Sequence, residues 1–143
     1  MSIKVLATAQ ATAVGGRNGH TESDDGLVSA ELSVPKSMGG PGKPGTTTPE
    51  HLFAAGYAAC FGGACDYMSR QLKLVPSSLT IKSTVNIGQT PDGGFGLAVI
   101  MTAEVGGLSQ EDAEKVIEAG HSFCPYSKAI KGNVPVEIKV VVV

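Results

Sequence analysis

The 143-residue chain has no tryptophan, 5% aromatic residues and only three cysteines. A small, odd cysteine count excludes a secreted disulfide framework and fits a reducing compartment, so a cytoplasmic protein is expected. Charge is sparse, at 17% of residues, and nearly balanced, with 11 Lys and Arg against 13 Asp and Glu. No basic cluster could track a phosphate backbone, which excludes a nucleic-acid partner. The N-terminal "MSIKVLATAQATAVGG" lacks the apolar core of a signal peptide. Long apolar runs are missing too. The charge-free stretch His51 to Cys65 is shorter than the about 20 residues a membrane span needs and holds three glycines, so no membrane partner is expected.

What is present is 42% hydrophobic residues and 19 glycines, a globular composition with many turns or close backbone contacts. The length suits a single domain over residues 1–143. Ile3 to Val14 and Leu27 to Val34 read as two strands, with "GGRNGH" and "SDDG" as turn material between them and Arg17 on the exposed connection. Pro35 to Pro49 holds four prolines and four glycines and reads as a loop. Thr80 to Gly88 and Gly96 to Val105 flank "QTPDGG", a hairpin signal. Ser109 caps a helix expected to stop near Gly120, and Val134 to Val143 reads as a last strand.

Thr48-Pro49-Glu50 reads as an N-cap, a proline at the first helical position and an early acid. The helix that follows has no charged face over its first four turns and is expected to be buried. Its Ala54, Ala55, Gly56, Ala58, Ala59, Gly62, Gly63 and Ala64 allow another backbone to approach closely. Five residues of helix rise about 7.5 Å and turn about 140°, so Cys60 and Cys65 can neither bridge nor share one metal ion with His121 and Cys124. Cys65 reads as a small hydrophobe. Cys124 precedes Pro125, just past a helix end, where it can sit on a movable loop. Whether the fold brings it to Cys60 is left open by the sequence separation.

"PEHLFAAGYAACFGGA" at Pro49 to Ala64, "FCPYS" at Phe123 to Ser127 and the Arg17 loop, in that order and spacing, resemble the organic hydroperoxide resistance proteins of the Ohr/OsmC family. The resemblance covers essentially the whole chain. It implies an α+β, OsmC-like fold with antiparallel sheets around a long central buried helix, in an intertwined homodimer. It further implies that Cys60 attacks an organic hydroperoxide, that Cys124 resolves the oxidised sulfur as a disulfide, and that Arg17 and Glu50 assist. No bound cofactor is implied. The reductant is an external dithiol, a dihydrolipoyl group on a lipoylated protein.

On the residues alone Arg17 reads equally as a solvated turn residue and Glu50 as an acid facing the helix dipole; the roles the resemblance implies carry the following chemical requirements. An ordinary thiol is mostly protonated at neutral pH, so a peroxide-attacking cysteine needs its charge stabilised. Cys60 lies too far along its helix for the dipole to help. One guanidinium at about 4 Å, in an effective dielectric near 20, contributes about 4 kcal/mol before desolvation. Arg17 can supply it. Arg70 sits about 15 Å along the same helix and cannot. Glu50 beside a thiolate would oppose ionisation, so its useful role is to hold Arg17 through a bidentate pair. Glu50 and Cys60 are also about 15 Å apart on one straight helix, so Glu50 is expected to serve the partner subunit's site. Phe53, Phe61 and Tyr126 flank the site residues and are candidates for an apolar substrate pocket. None of the three histidines is assigned chemistry. The principal alternative is a non-catalytic thiol redox sensor or peroxide-binding module. A cysteine hydrolase would want a base beside Cys60, and a purely structural dimer would be indifferent to Cys60→Ser.

Overall fold

The computed structural model describes residues 2–143. They form two compact units, one ending at Leu52 and one beginning at Phe53. In the first unit, β1 (Ala11–Val14), β2 (His20–Ser23) and β3 (Ser29–Glu31) pair antiparallel in that order. The β1–β2 connection needs glycine. Gly15 and Gly16 have φ of 79° and 57°, and a Cβ on Gly19 would lie 2.8 Å from Gly15 Cα. This tight turn is a short 3-10 segment, Gly16–Asn18, that presents Arg17. The expected first strand is trimmed to its last four residues, with Ile3, Val5 and Leu6 exposed. The connection between the two expected strands carries β2 instead, because His20-Thr-Glu-Ser can pair with strands on both sides. Pro35 to Thr48 is a loop with one 3-10 turn, Lys36–Met38, as its composition requires.

Helix α1 (Pro49–Leu72) starts where the capping signal puts it, and the Thr48 hydroxyl accepts from the His51 N–H at 3.2 Å. In the second unit, β4 (Ser78–Gln89) and β5 (Phe95–Gly106) make a twelve-residue antiparallel hairpin. Its turn has Gly93 at φ 89°, and Asp92 accepts from the Gly94 N–H. β6 (Val136–Val142) runs parallel to β5, giving the order β4-β5-β6. This sheet is therefore mixed, not antiparallel as expected. A parallel neighbour needs a long crossover, and α2 (Gln110–Phe123) with α3 (Pro125–Ile130) supplies it.

The core of this unit joins alternate residues of β5, Val99, Met101, Ala103 and Val105, to Ala113, Val116 and Ile117 of α2 and to one stripe of α1. That stripe is Tyr57, Phe61, Ala64 and Cys65, at helical spacing. The expectation of a wholly buried helix is corrected here. Ala55, Ala59 and Gly63 lie on an uncharged face that is exposed in the chain, and nothing lies within 4 Å of a Cβ on Gly63. Ser109 caps α2 as expected, accepting from the Asp112 N–H. Gly120 does not end α2, which continues to Phe123. Its lack of a side chain serves close approach, since a Cβ there would lie 2.9 Å from Cys65 Cα.

Candidate active site

The expected site residues fall into two groups, one in each unit. In the first, Arg17 on its glycine turn and Glu50 in the first turn of α1 form a two-pronged ion pair. Arg17 Nη2 donates to Glu50 Oε1 at 2.7 Å and Nη1 to Oε2 at 3.0 Å. The fork geometry fixes the guanidinium plane. Glu50 is 12% exposed and Arg17 40% exposed, so the acid is the anchored member. The guanidinium hydrogen bond holds the Glu50 carboxyl below its ordinary pKa against the opposing effect of burial. The same hydrogen bond raises Arg17.

In the second unit, Cys124 is fully buried and Cys60 half-buried, with their sulfurs 3.5 Å apart. Both are free thiols, and Cys124 donates toward Cys60. A disulfide needs about 2.05 Å, so a shift of roughly 1.5 Å would close the pair. Cys124 is not on a movable loop. It joins α2 to α3, its N–H bonded to Gly120 O at 2.8 Å, with Pro125 at the first position of α3. The proline ends one helix and starts the next, which explains why the sequence signal marked a boundary but not a second helix. Burial raises the Cys60 thiol above its ordinary pKa; the Tyr126 N–H opposes this and Cys124 adds to it. Within the chain's own second unit, then, this sulfur favours its protonated form. Burial pushes the Cys65 thiol up to about 12, so it is unreactive.

A family model described as OsmC-like protein matches residues 40–139. An organic hydroperoxide resistance protein of Xanthomonas axonopodis pv. citri (strain 306) is 47% identical over 94% of both chains. The chain belongs to the OsmC-like family. The organic hydroperoxide resistance protein OhrB of Bacillus subtilis (strain 168) is 41% identical to this OsmC-like chain, over 94% of it and 97% of the relative. A crystal structure from Legionella pneumophila, described as an organic hydroperoxide resistance protein OsmC, superposes with a TM-score of 0.90 at 45% identity. The match covers 96% of this chain and 99% of that one.

Of the three aromatics expected to line a pocket in this OsmC-like chain, Phe61 has no exposed surface and belongs to the core. Phe53 and Tyr126 stack at 6.4 Å between ring centroids, and Tyr126 is 42% exposed. Tyr57, unmarked by the sequence reading, sits between them and the core, 5.6 Å from Phe53 and 6.0 Å from Tyr126. Its hydroxyl meets Ser127 Oγ at 2.6 Å, which in turn meets His121 Nδ1 at 2.9 Å. The only signal for these three was position, one turn before Cys60, one turn after Cys124 and one turn before it. Among the described residues no group of three or more His, Cys, Asp or Glu is placed to hold a metal ion, and no helix is long and apolar enough to cross a membrane.

Proposed function

We propose that this OsmC-like protein is a cysteine-based peroxidase that reduces organic hydroperoxides, lipid hydroperoxides included, in defence against oxidative stress. One observation carries the proposal: two free thiols 64 residues apart in sequence, with sulfurs 3.5 Å apart, beside a pair of aromatic rings that can contact an alkyl chain. The names of its relatives support the substrate class. The Cys60 thiolate attacks the terminal oxygen of ROOH, the O–O bond breaks, and the alcohol leaves once its oxygen has taken a proton. Cys60 is left as a sulfenic acid. The Cys124 sulfur displaces its oxygen as water, forming the Cys60–Cys124 disulfide. A dihydrolipoyl group on a lipoylated protein, acting in the cytoplasm as an external dithiol, returns both thiols by exchange.

The attacking anion needs a cation, because burial and Cys124 raise the Cys60 thiol. In this proposal Arg17 and Glu50 of the partner subunit supply it in an intertwined homodimer. Two features support this. Glu50 and Cys60 are about 15 Å apart along one straight helix, and the uncharged Ala55, Ala59 and Gly63 face of α1 is open to a close neighbour. Phe53 and Tyr126 bind the organic part of the substrate.

Steady-state assay with cumene hydroperoxide, dihydrolipoamide and catalytic protein separates enzyme from sensor. Many turnovers per molecule are expected, with Cys60→Ser reduced to the uncatalysed rate. A single stoichiometric oxidation with no turnover would refute the enzyme and leave the sensor.

A further inference from the structure

The two sulfurs of the pair are not equally reachable. Cys124 has no exposed surface and belongs to the buried cluster of the second unit, whereas Cys60 is half-buried and only packs against that cluster. The difference follows from where each stands. Cys60 lies at the border of the buried stripe of α1, with Phe61 and Ala64 on its inner side and Ala59 and Gly63 on its outer, exposed side. Cys124 is held from both directions along the backbone: its N–H donates to Gly120 O at 2.8 Å, and its carbonyl accepts from the Lys128 N–H at 3.0 Å. The end of α2 just before it is pressed onto α1, since a Cβ on Gly120 would lie 2.9 Å from Cys65 Cα. Carrying Cys124 to the surface would break these bonds and open that contact.

Disulfide formation does not change this. It asks for roughly 1.5 Å of sulfur movement from the 3.5 Å separation, too little to bring a wholly buried sulfur to solvent. Pairing with a second copy covers surface and does not uncover it, so Cys124 stays closed in an assembly. Cys60, by contrast, must keep a route to solvent if a hydroperoxide is to reach it. Thiol–disulfide exchange requires a thiolate to touch one sulfur from the side opposite the bond that breaks. An attack on Cys60 comes from the side away from Cys124. An attack on Cys124 would come from the side away from Cys60, and Cys124 is open on no side.

We propose that Cys60 is also the sulfur that the external dithiol attacks, so that Cys124 is the leaving thiol and each reduction passes through a mixed disulfide on Cys60. The inference rests on the peroxidase reading above. In the first step a reductant thiolate forms a bond to the Cys60 sulfur and the Cys60–Cys124 bond breaks. The Cys124 sulfur leaves with the electron pair and takes a proton from solvent, replacing the one the reductant thiol gave up. In the second step the reductant's other thiolate attacks its own partner sulfur, and the bond to Cys60 breaks. Cys60 departs with that electron pair as a thiolate, the form needed for the next peroxide. The two reductant sulfurs are oxidised to a disulfide and both protein sulfurs are reduced. One opening thus serves oxidant and reductant in alternate halves of the cycle.

The test prepares the full-length disulfide protein with one equivalent of cumene hydroperoxide and, in a parallel sample, with diamide. Each is mixed with excess 2-mercaptoethanol, quenched in acid before reduction is complete, alkylated and mapped by peptide mass. The 2-mercaptoethanol adduct is expected on Cys60 and the alkyl label on Cys124. Adducts on Cys124, or equal amounts on both, overturn the inference. Where no adduct survives the quench, single-thiol variants decide. Reduced Cys124→Ser and Cys60→Ser, each shown to fold by circular dichroism, are treated with 5,5′-dithiobis(2-nitrobenzoate), and the modified residue is mapped. Residue 124 is expected to react about a hundredfold or more slowly than residue 60, because a buried thiol reacts only through local opening. Equal rates overturn the inference. A protein that closes the disulfide with diamide but never with hydroperoxide overturns the peroxidase reading, whereas adducts on Cys124 overturn this inference alone.

Discussion

At the scale of residues, half-buried charge in the first unit is held by pairing. Glu50 is the clearest, because a carboxylate with 12% exposure keeps its charge through the Arg17 fork. The pair has a pH signature. Its folded pKa lies below the ordinary 4.5, so the stability it contributes is present above that value and lost as pH falls through the folded one. His121, lowered from 6.5, acts in the same direction, its contribution fading as pH drops below that ordinary value. Urea unfolding is therefore expected to show lower midpoints at acid pH. Glu50→Gln should remove the part of the decline below about pH 4.5, worth less than about 1 kcal/mol because the guanidinium is 40% exposed and screened by solvent. An identical acid profile in Glu50→Gln would show that the fork contributes nothing to the folded chain.

At the scale of elements, the uncapped or doubly read segments are where sequence and structure part company. Thr48-Pro49-Glu50, Ser109 and the Asp-Gly turn each carry a local chemical signal, and α1, α2 and the β4–β5 hairpin begin or turn where those signals lie. β2 carries none. His20 to Ser23 is a strand only because strands on both sides pair with it. Gly120 misleads for a related reason. A helical glycine reads as a stop, whereas its use is to admit Cys65 of α1. The Arg17–Glu50 pair and the nearness of Cys60 to Cys124 both come from resemblance, charge logic adding only that Glu50 would hold Arg17 by a fork, since 64 residues of chain say nothing about where two sulfurs meet. The role of Gly120 is checkable by stability measurements. Gly120→Ala should cost about 1–3 kcal/mol, the usual range for overpacking, despite alanine's better helix propensity. Gly63→Ala, with open space around its Cβ, serves as the reference and should be neutral or better in the isolated chain. Equal effects at the two positions would contradict the close approach.

At the scale of the whole molecule, the proposed sharing of sites between subunits makes a prediction that no single chain can satisfy. Cys60→Ser and Arg17→Ala homodimers should each be nearly inactive. After mixed refolding, a heterodimer pairs one intact Cys60 with the intact Arg17 of its partner, so about a quarter of native activity should return. Absence of any recovery, with heterodimers shown to form, would place both residues of a working site in one chain. The central claim is narrower than the dimer and can be tested on its own. Reduced protein treated with one equivalent of lipid hydroperoxide should lose the mass of two hydrogens. Peptide mapping under non-reducing conditions should then join the Cys60 and Cys124 peptides and leave Cys65 free. A product that instead gains oxygen on Cys60 and keeps a free Cys124 thiol, or one linked through Cys65, would contradict the account.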